Sequence, residues 1–350
     1  MTMGARPVDV TIRGAGIFGL SIAWACLSRG ARVRVIDPGG PGAGSSGGLV
    51  GALAPHVPEN WNEKKAFQLD SLLMAQGFWA DVATASGRDP GYLRSGRSQP
   101  LADERAVDLA RARASGATEL WQGHATWAVV DADTLGDWRP ASPTGLYIHD
   151  TLSARLHPRQ ACAALAAAIT ARGGEVTGDA PEAGHVIHAT GVAGLAALGL
   201  ALERSVGTGV KGQAALLRLD RSQSAQLFCD GVHVIPHGDG TVAIGSTSER
   251  DYDAPNTTDG QLDDVIARAR AAVPALRDAP VIDRWAGVRP RAKSRAPLLG
   301  PWPGRAGHFI ANGGFKIGFG MAPKVAVVMA DLVLDGRDAI PAGFHTDTLA

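Results

Sequence analysis

Cysteine, tyrosine, net charge and long apolar runs are all scarce in this sequence, and each scarcity excludes something. Only Cys26, Cys162 and Cys229 are cysteines, an odd and widely spaced set among 350 residues. They form no CxxC pair and no Cys/His zinc spacing. We therefore expect no disulfide framework, no structural metal and a reducing compartment. Lys and Arg total 34 and so do Asp and Glu, so the formal net charge is zero. No global field draws the chain to nucleic acid or to an anionic membrane, which leaves only a local basic patch open. The most apolar stretches, residues 161–169 and 325–334, are far shorter than the roughly 20 residues of a bilayer span. Asp331 interrupts the second. The stretch 1–9 is too short and polar for a secretory signal, so a soluble, cytoplasmic protein is expected.

What is present is glycine, 45 residues of it, in patterned places. A chain of 350 residues exceeds what one core comfortably serves, so two domains are expected. Residues 8–13 read as a buried strand and 17–29 as a helix stopped by Gly30. Residues 32–37 form a second strand that ends on Asp37. From 38 to 48 the chain is mostly Gly, Ser and Pro. Residues 63–86 read as a long helix, with Phe67, Leu72, Leu73, Phe78, Trp79 and Val82 on its buried face. Residues 103–114 read as another helix, and 120–148 carry no legible pattern. Pro158 opens a helix to about 172, and a strand at 185–189 follows. Between 210 and 246 lie short strands with hairpin chemistry at Gly238-Asp239-Gly240. A helix at 261–272, strands at 281–289 and 308–311, and a last helix at 321–334 complete the pattern. Parallel βα signals at both ends with antiparallel strands between them predict two interleaved, discontinuous domains.

The first 40 residues hold the sharpest signal. Gly14-Ala-Gly16-Ile17-Phe18-Gly19 lies between a predicted strand and a predicted helix. Gly14 permits a tight turn, Gly16 lets the backbone approach a pyrophosphate, and Gly19 lets helix pack on strand. The helix N-terminus then points unpaired N–H groups at phosphate. Asp37 stands where a carboxylate accepts ribose hydroxyls, and its charge disfavours a 2′-phosphate. The motif alone does not choose NAD over FAD. A simple NAD dehydrogenase would continue in βα repeats after Asp37, whereas this chain enters a Gly/Ser loop and a helical insertion, which favours FAD.

At this point the chain resembles the D-amino-acid oxidase / glycine oxidase family of flavoenzymes over nearly its whole length. The stretches that carry the resemblance include Gly44-Ser45-Ser46-Gly-Gly48-Leu49-Val-Gly-Ala-Leu-Ala-Pro55, Leu156-His-Pro-Arg159 and His188-Ala-Thr-Gly191. Val210-Lys-Gly-Gln213, Val234-Ile-Pro236 and Ala243-Ile-Gly-Ser-Thr247 follow. Trp285-Ala-Gly-Val-Arg289-Pro290, Leu299-Gly-Pro301 and Asn312-Gly-Gly314-Phe315-Lys316-Ile317-Gly318 complete the series. His157 replaces an acid usual in the family.

The resemblance implies a Rossmann-type α/β FAD-binding domain (1–55, 150–205 and 286–350) interleaved with an α+β substrate domain on an antiparallel sheet (56–149 and 206–285). It also implies noncovalent FAD, since no cysteine stands in the C-terminal region where sarcosine oxidases carry an attachment thiol. His56, just after the flavin loop, could approach the ring, and some flavoenzymes attach FAD through histidine. The cofactor contacts expected are Gly14, Gly16, Ile17, Phe18, Gly19, Asp37, Ser45, Ser46, Gly48, Leu49, Gly191, Gly314, Phe315, Lys316, Ile317 and Gly318. Arg289, expected to end its strand before Pro290, is the anchor for a substrate carboxylate. Lys316 stands where glycine oxidases carry arginine; it is either a point-charge contact or a solvated loop lysine. His233 stands where relatives often carry a tyrosine, and is either a site residue or a structural one.

The activity implied is oxidation of the C–N bond of a small amino acid or N-substituted glycine to an imine, followed by hydrolysis. Oxygen or another acceptor takes the electrons. The alternatives are the oxidase module that matures a carboxymethylaminomethyl wobble uridine in tRNA, which alone would bring in nucleic acid, and a non-catalytic FAD-binding protein.

Overall fold

The computed structural model describes residues 7–349; part of the N-terminal stretch read against a signal segment lies outside them. Two sheets organise the chain. The first has six strands in the order Leu298–Pro301, His308–Asn312, His185–His188, Val10–Arg13, Val33–Ile36 and Glu175–Thr177. All neighbours are parallel except the first pair. Val10, Ile12, Val35, Ile187 and Ile310 are fully buried, as a parallel sheet covered on both faces requires.

The glycine fingerprint turns the first strand into the helix Ile17–Ser28. Gly14 has φ +103°, and a Cβ there would lie 2.4 Å from the Ala189 carbonyl oxygen. No other residue type fits that turn. A Cβ on Gly19 would lie 1.9 Å from the Gly14 oxygen, so its absence sets the helix-to-strand distance.

The second sheet has eight strands, in the order Val281–Ala292, Gly207–Arg218, Thr241–Gly245, Val232–Pro236, Gln226–Cys229, Arg97–Pro100, Leu146–Asp150 and Trp127–Asp131. It is antiparallel apart from the pairing of Gln226 and Leu227 with Arg97 and Ser98. A separate apolar core forms between this sheet and the helix Gly260–Ala272, around Leu227, Val234, Ile244, Leu262 and Val265.

The structure differs from the sequence expectations at specific points. The stretch 120–148 contains the strands Trp127–Asp131 and most of Leu146–Asp150. They pair with each other in register, and nothing local announces that pairing. Residues 207–218 make one long strand rather than a short one. The strand carrying Arg289 does not end there but runs through Pro290 to Ala292, with Pro290 opposite Gly209. It lies at the sheet edge, where a missing N–H is tolerated. The expected domain boundary at 285/286 therefore falls inside one continuous strand. The last helix begins a turn early, at Gly318.

The helix Glu63–Ser86 has the expected bounds. Asn62 caps it by accepting from the Lys65 N–H at 3.1 Å, and Gly87 closes it at φ +64°. Phe67, Leu72, Trp79 and Val82 are buried, with Leu73 and Phe78 only partly so. It packs on the helices Pro158–Ala171 and Gly318–Asp335, and so belongs to the core of the parallel-sheet half. No helix among the described residues is long and apolar enough to cross a membrane.

Candidate active site

One cavity of about 1370 Å³ runs along the junction of the two sheets. Pockets for drug-sized ligands are about 300–1,000 Å³, so there is room here for a dinucleotide and a small substrate together. Of the expected contacts, Gly14, Gly16, Ile17, Phe18, Asp37, Ser45, Ser46, Gly48, Leu49, Gly191, Gly314, Phe315, Lys316, Ile317 and Gly318 line it, and so do His56, His233 and Arg289. Gly19 does not; it packs the helix against the strand behind the cavity wall.

At one end the carboxylate of Asp37 accepts the N–H of Ala15 at 2.8 Å and of Gly39 at 2.9 Å. It thus ties the glycine turn to the second strand while facing the cavity. Ser46 accepts the Ile17 N–H at 3.0 Å and so caps the fingerprint helix. A Cβ on Gly16 would come within 3.2 Å of that hydroxyl, so the turn is closely fitted. On the far wall, Asn312 donates to the Gly191 carbonyl at 2.7 Å and accepts from Gly313 N–H at 2.8 Å. Phe315 N–H donates to the Pro290 carbonyl at 3.1 Å. These bonds hold the glycine run at the start of the helix Gly318–Asp335, whose N-terminal end faces the cavity. The backbone and side-chain N–H of His56 both donate to Gln68 Oε1, which fixes the ring on the same wall.

At the other end Arg289 is buried, and its guanidinium donates to Ser246 Oγ at 2.7 Å and to the Thr247 carbonyl at 3.3 Å. Burial lowers its pKa to about 10, with nearby Glu249 opposing, so it stays charged at neutral pH. The space it occupies comes from Gly212 on the neighbouring strand. A Cβ on Gly212 would fall 1.8 Å from Arg289 Nη2. The oxygens of Glu249 are already committed to Lys211, Gln213 and Thr247, and among the described residues no carboxylate pairs directly with Arg289. Burial first, then Arg97, Lys316 and Arg289, push the His233 pKa down to about 4. His233 is therefore a neutral imidazole, and its Nδ1 has no hydrogen-bond partner among the described residues. Lys316 is open to the cavity. Partial burial and the neighbouring Arg289 lower its pKa. Its ammonium lies 5.6 Å from the centre of the Phe315 ring.

Two residues that frame this end were missed in the sequence. Gly212 lies inside a stretch that carries the family resemblance, but its purpose depends on the side chain of Arg289, which reaches over it from the neighbouring strand. Arg97 lines the cavity from the strand Arg97–Pro100 and belongs to no motif. Among the described residues no cluster of His, Cys, Asp and Glu could hold a metal ion.

With that geometry established, comparison with known proteins gives consistent matches. The family model described as FAD dependent oxidoreductase matches residues 9–332. Glycine oxidase from Geobacillus kaustophilus is 25% identical over 374 aligned positions, covering 93% of this chain and 92% of that protein. Glycine oxidase from Pseudomonas putida is 28% identical, covering 95% and 96%. Among solved structures, the Geobacillus enzyme superposes with a TM-score of 0.82 at 23% identity, over 96% of this chain and 97% of that one. Iminodiacetate oxidase from Chelativorans sp. BNC1 also gives 0.82 at 23% identity, over 96% and 98%.

Proposed function

Since the chain belongs to the FAD-dependent oxidoreductase family and uses FAD as its cofactor, we propose that it oxidises the C–N bond of a small amino acid or N-substituted glycine that Arg289 holds by its carboxylate. The observation that carries this reading is a buried guanidinium, paired with no carboxylate among the described residues, on the wall of the cavity that also contains the dinucleotide fingerprint. A guanidinium meets a carboxylate with two parallel hydrogen bonds, which fixes the alpha carbon in both position and orientation.

When bound, FAD would supply the oxidising power as the acceptor of a hydride from the substrate carbon. The remaining work falls to the protein. The substrate amine must be neutral to release that hydride, and the nearby cations Arg289, Lys316 and Arg97 favour loss of its proton. His233 is neutral at physiological pH and adds no further charge. Gly14, Gly16, Ser45, Ser46 and Asp37 hold the dinucleotide. The N-terminal end of the helix Gly318–Asp335 lines the cavity and would offer positive potential to a flavin that gains negative charge on reduction. The imine that leaves is hydrolysed by water to a carbonyl compound and an amine. Oxygen, reduced to hydrogen peroxide, is the proposed electron acceptor. The relatives from Geobacillus kaustophilus and Pseudomonas putida are glycine oxidases, which favours amino-acid oxidation over the tRNA reading.

The test is anaerobic mixing of the FAD-loaded protein with glycine, N-methylglycine and both enantiomers of small amino acids while flavin absorbance is followed. Bleaching by an amino acid, but not by its amide, is the expected result. A flavin that no amine reduces would leave only a cofactor-binding protein. Admitting air after bleaching shows whether oxygen accepts the electrons.

A further inference from the structure

Beyond the charge it adds near the substrate amine, Arg97 has no binding role in the reading given so far. It is 8% exposed and lines the substrate end of the cavity beside Phe228, Gly231 and His233. Among the described residues its guanidinium has one partner, Asp150, directly opposite on the neighbouring strand, with Nε 3.2 Å from Oδ2. That contact is too oblique for a hydrogen bond, and Nε is left without an acceptor. Asp150 is itself satisfied by Ser153, whose N–H donates at 2.7 Å and whose hydroxyl donates at 3.0 Å. Among the described residues the Arg97 guanidinium donates no hydrogen bond to protein.

A guanidinium has five donors in a rigid fork, and burying it without acceptors is costly. Asp150 balances its charge but leaves its donors unused. The cavity is where they can be used. The surroundings also favour an anion. Arg97, Lys316 and Arg289 all act on His233 in the same direction. Asp150 offsets Arg97, but Lys316 and Arg289 pair with no carboxylate among the described residues. A substrate with one carboxylate satisfies Arg289 and leaves the Arg97 fork empty.

Building on the proposed amine oxidation, we infer that Arg97 is a second carboxylate anchor, assisted by Lys316, and that the substrate is a dicarboxylic amine. Either an amino acid with a carboxylate side chain or a glycine with an N-linked carboxyalkyl group satisfies this chemistry. His233, uncharged and with a free Nδ1, can lie against the chain between the two carboxylates without repelling either cation.

The test uses the FAD-loaded enzyme and two measurements. First, acetate, propionate, malonate, succinate and glutarate are titrated against the flavin spectrum, which needs no turnover. The best dicarboxylate should bind at least about tenfold more tightly than its monocarboxylate counterpart. Second, anaerobic flavin reduction by iminodiacetate, aspartate and glutamate is compared with glycine, N-methylglycine and the corresponding amides. Iminodiacetate against the two amino acids distinguishes an N-linked from a side-chain carboxylate. In Arg97→Met the dicarboxylate advantage should fall to near one, and Arg97→Lys should retain part of it. Removing Arg97 leaves Asp150 buried and unpaired, so Arg97→Met/Asp150→Asn is measured alongside, with FAD content and melting temperature as controls. A wild-type ratio near one overturns the inference whatever the variants do, and so does an advantage that survives in a well-folded Arg97→Met. If monocarboxylic amines reduce the flavin while the ratio is one, the anchor is wrong and the amine-oxidation reading stands. If dicarboxylates bind tightly but no amine reduces the flavin, the reading is wrong and the anchor stands.

Discussion

At the scale of single residues, the substrate end of the cavity depends on a glycine making way for an arginine. Gly212→Ala would drive a methyl group into the Arg289 guanidinium, which is the movable end of a long side chain. The fold should survive and the fork should be displaced. The expected result is normal FAD content with acid substrates bound at least about tenfold more weakly, measured by flavin titration. Wild-type affinity in Gly212→Ala would mean that the guanidinium has another place to go. Arg289→Ala should weaken acids by roughly 2–5 kcal/mol and abolish the preference for an acid over its amide, with Arg289→Lys restoring only part. If the amide is still rejected, Lys316 becomes the candidate anchor. At the cofactor end, Asp37→Ala should weaken FAD by about 1–3 kcal/mol, measured by flavin fluorescence on dissociation. The loss of its bonds to Ala15 and Gly39 contributes to that figure, because the carboxylate also shapes the turn.

At the scale of elements, the segment from Ser246 to the helix Gly260–Ala272 forms one wall of the cavity through Tyr252, Pro255 and Asn256. It has little regular structure, and polar bonds hold it to the long strand Gly207–Arg218. Lys211 is 3.3 Å from both Glu249 and Asp259, Gln213 donates to both acids, and the Asp259 N–H returns a bond to Gln213 at 2.8 Å. The Thr247 hydroxyl donates to Glu249 while its carbonyl receives Arg289. Breaking a buried ion pair on one side costs about 3–5 kcal/mol, which the exposed Asp259 reduces here by remaining beside Lys211. Glu249→Leu should therefore destabilise the protein by about 2–4 kcal/mol and raise amide exchange across 246–259. Acid substrates should bind less tightly in the same variant. Unchanged exchange in that segment would show that the network is not what holds it.

At the scale of the whole molecule, burial first of all lowers the pKa of His188, His233 and His237 to about 4. Their unfolded value is near 6.5. Between those limits the unfolded chain binds more protons than the folded one, so stability rises with pH across that window. The contribution is present above about pH 6.5 and is lost as pH falls towards 4. The melting temperature should be nearly flat from pH 7 to 8 and fall progressively from pH 6.5 downwards. His237 is fully buried, and its Nε2 lies 3.0 Å from the Leu49 carbonyl on the cofactor loop. Flavin release should therefore accompany the acid transition. A melting temperature independent of pH between 7 and 4.5 would contradict this account.

The sequence by itself determined the parts whose causes are local. A turn that admits only glycine, an acid at the end of the next strand, a glycine stop after the first helix and a hairpin around Gly238-Asp239-Gly240 each act within a few tens of residues. Their signatures are therefore contiguous. Arg289 was legible through its motif, although its place in mid-strand was not, because edge position decides whether Pro290 ends a strand. Tertiary structure alone decided the rest. Arg97 reaches the cavity because its strand pairs in parallel with Gln226 and Leu227, and Gly212 matters only because Arg289 lies across it. The neutrality of His233 is set by burial and by three cations from distant parts of the chain. Space, desolvation and charge are properties of neighbours, and those neighbours are brought together only by pairing between distant strands.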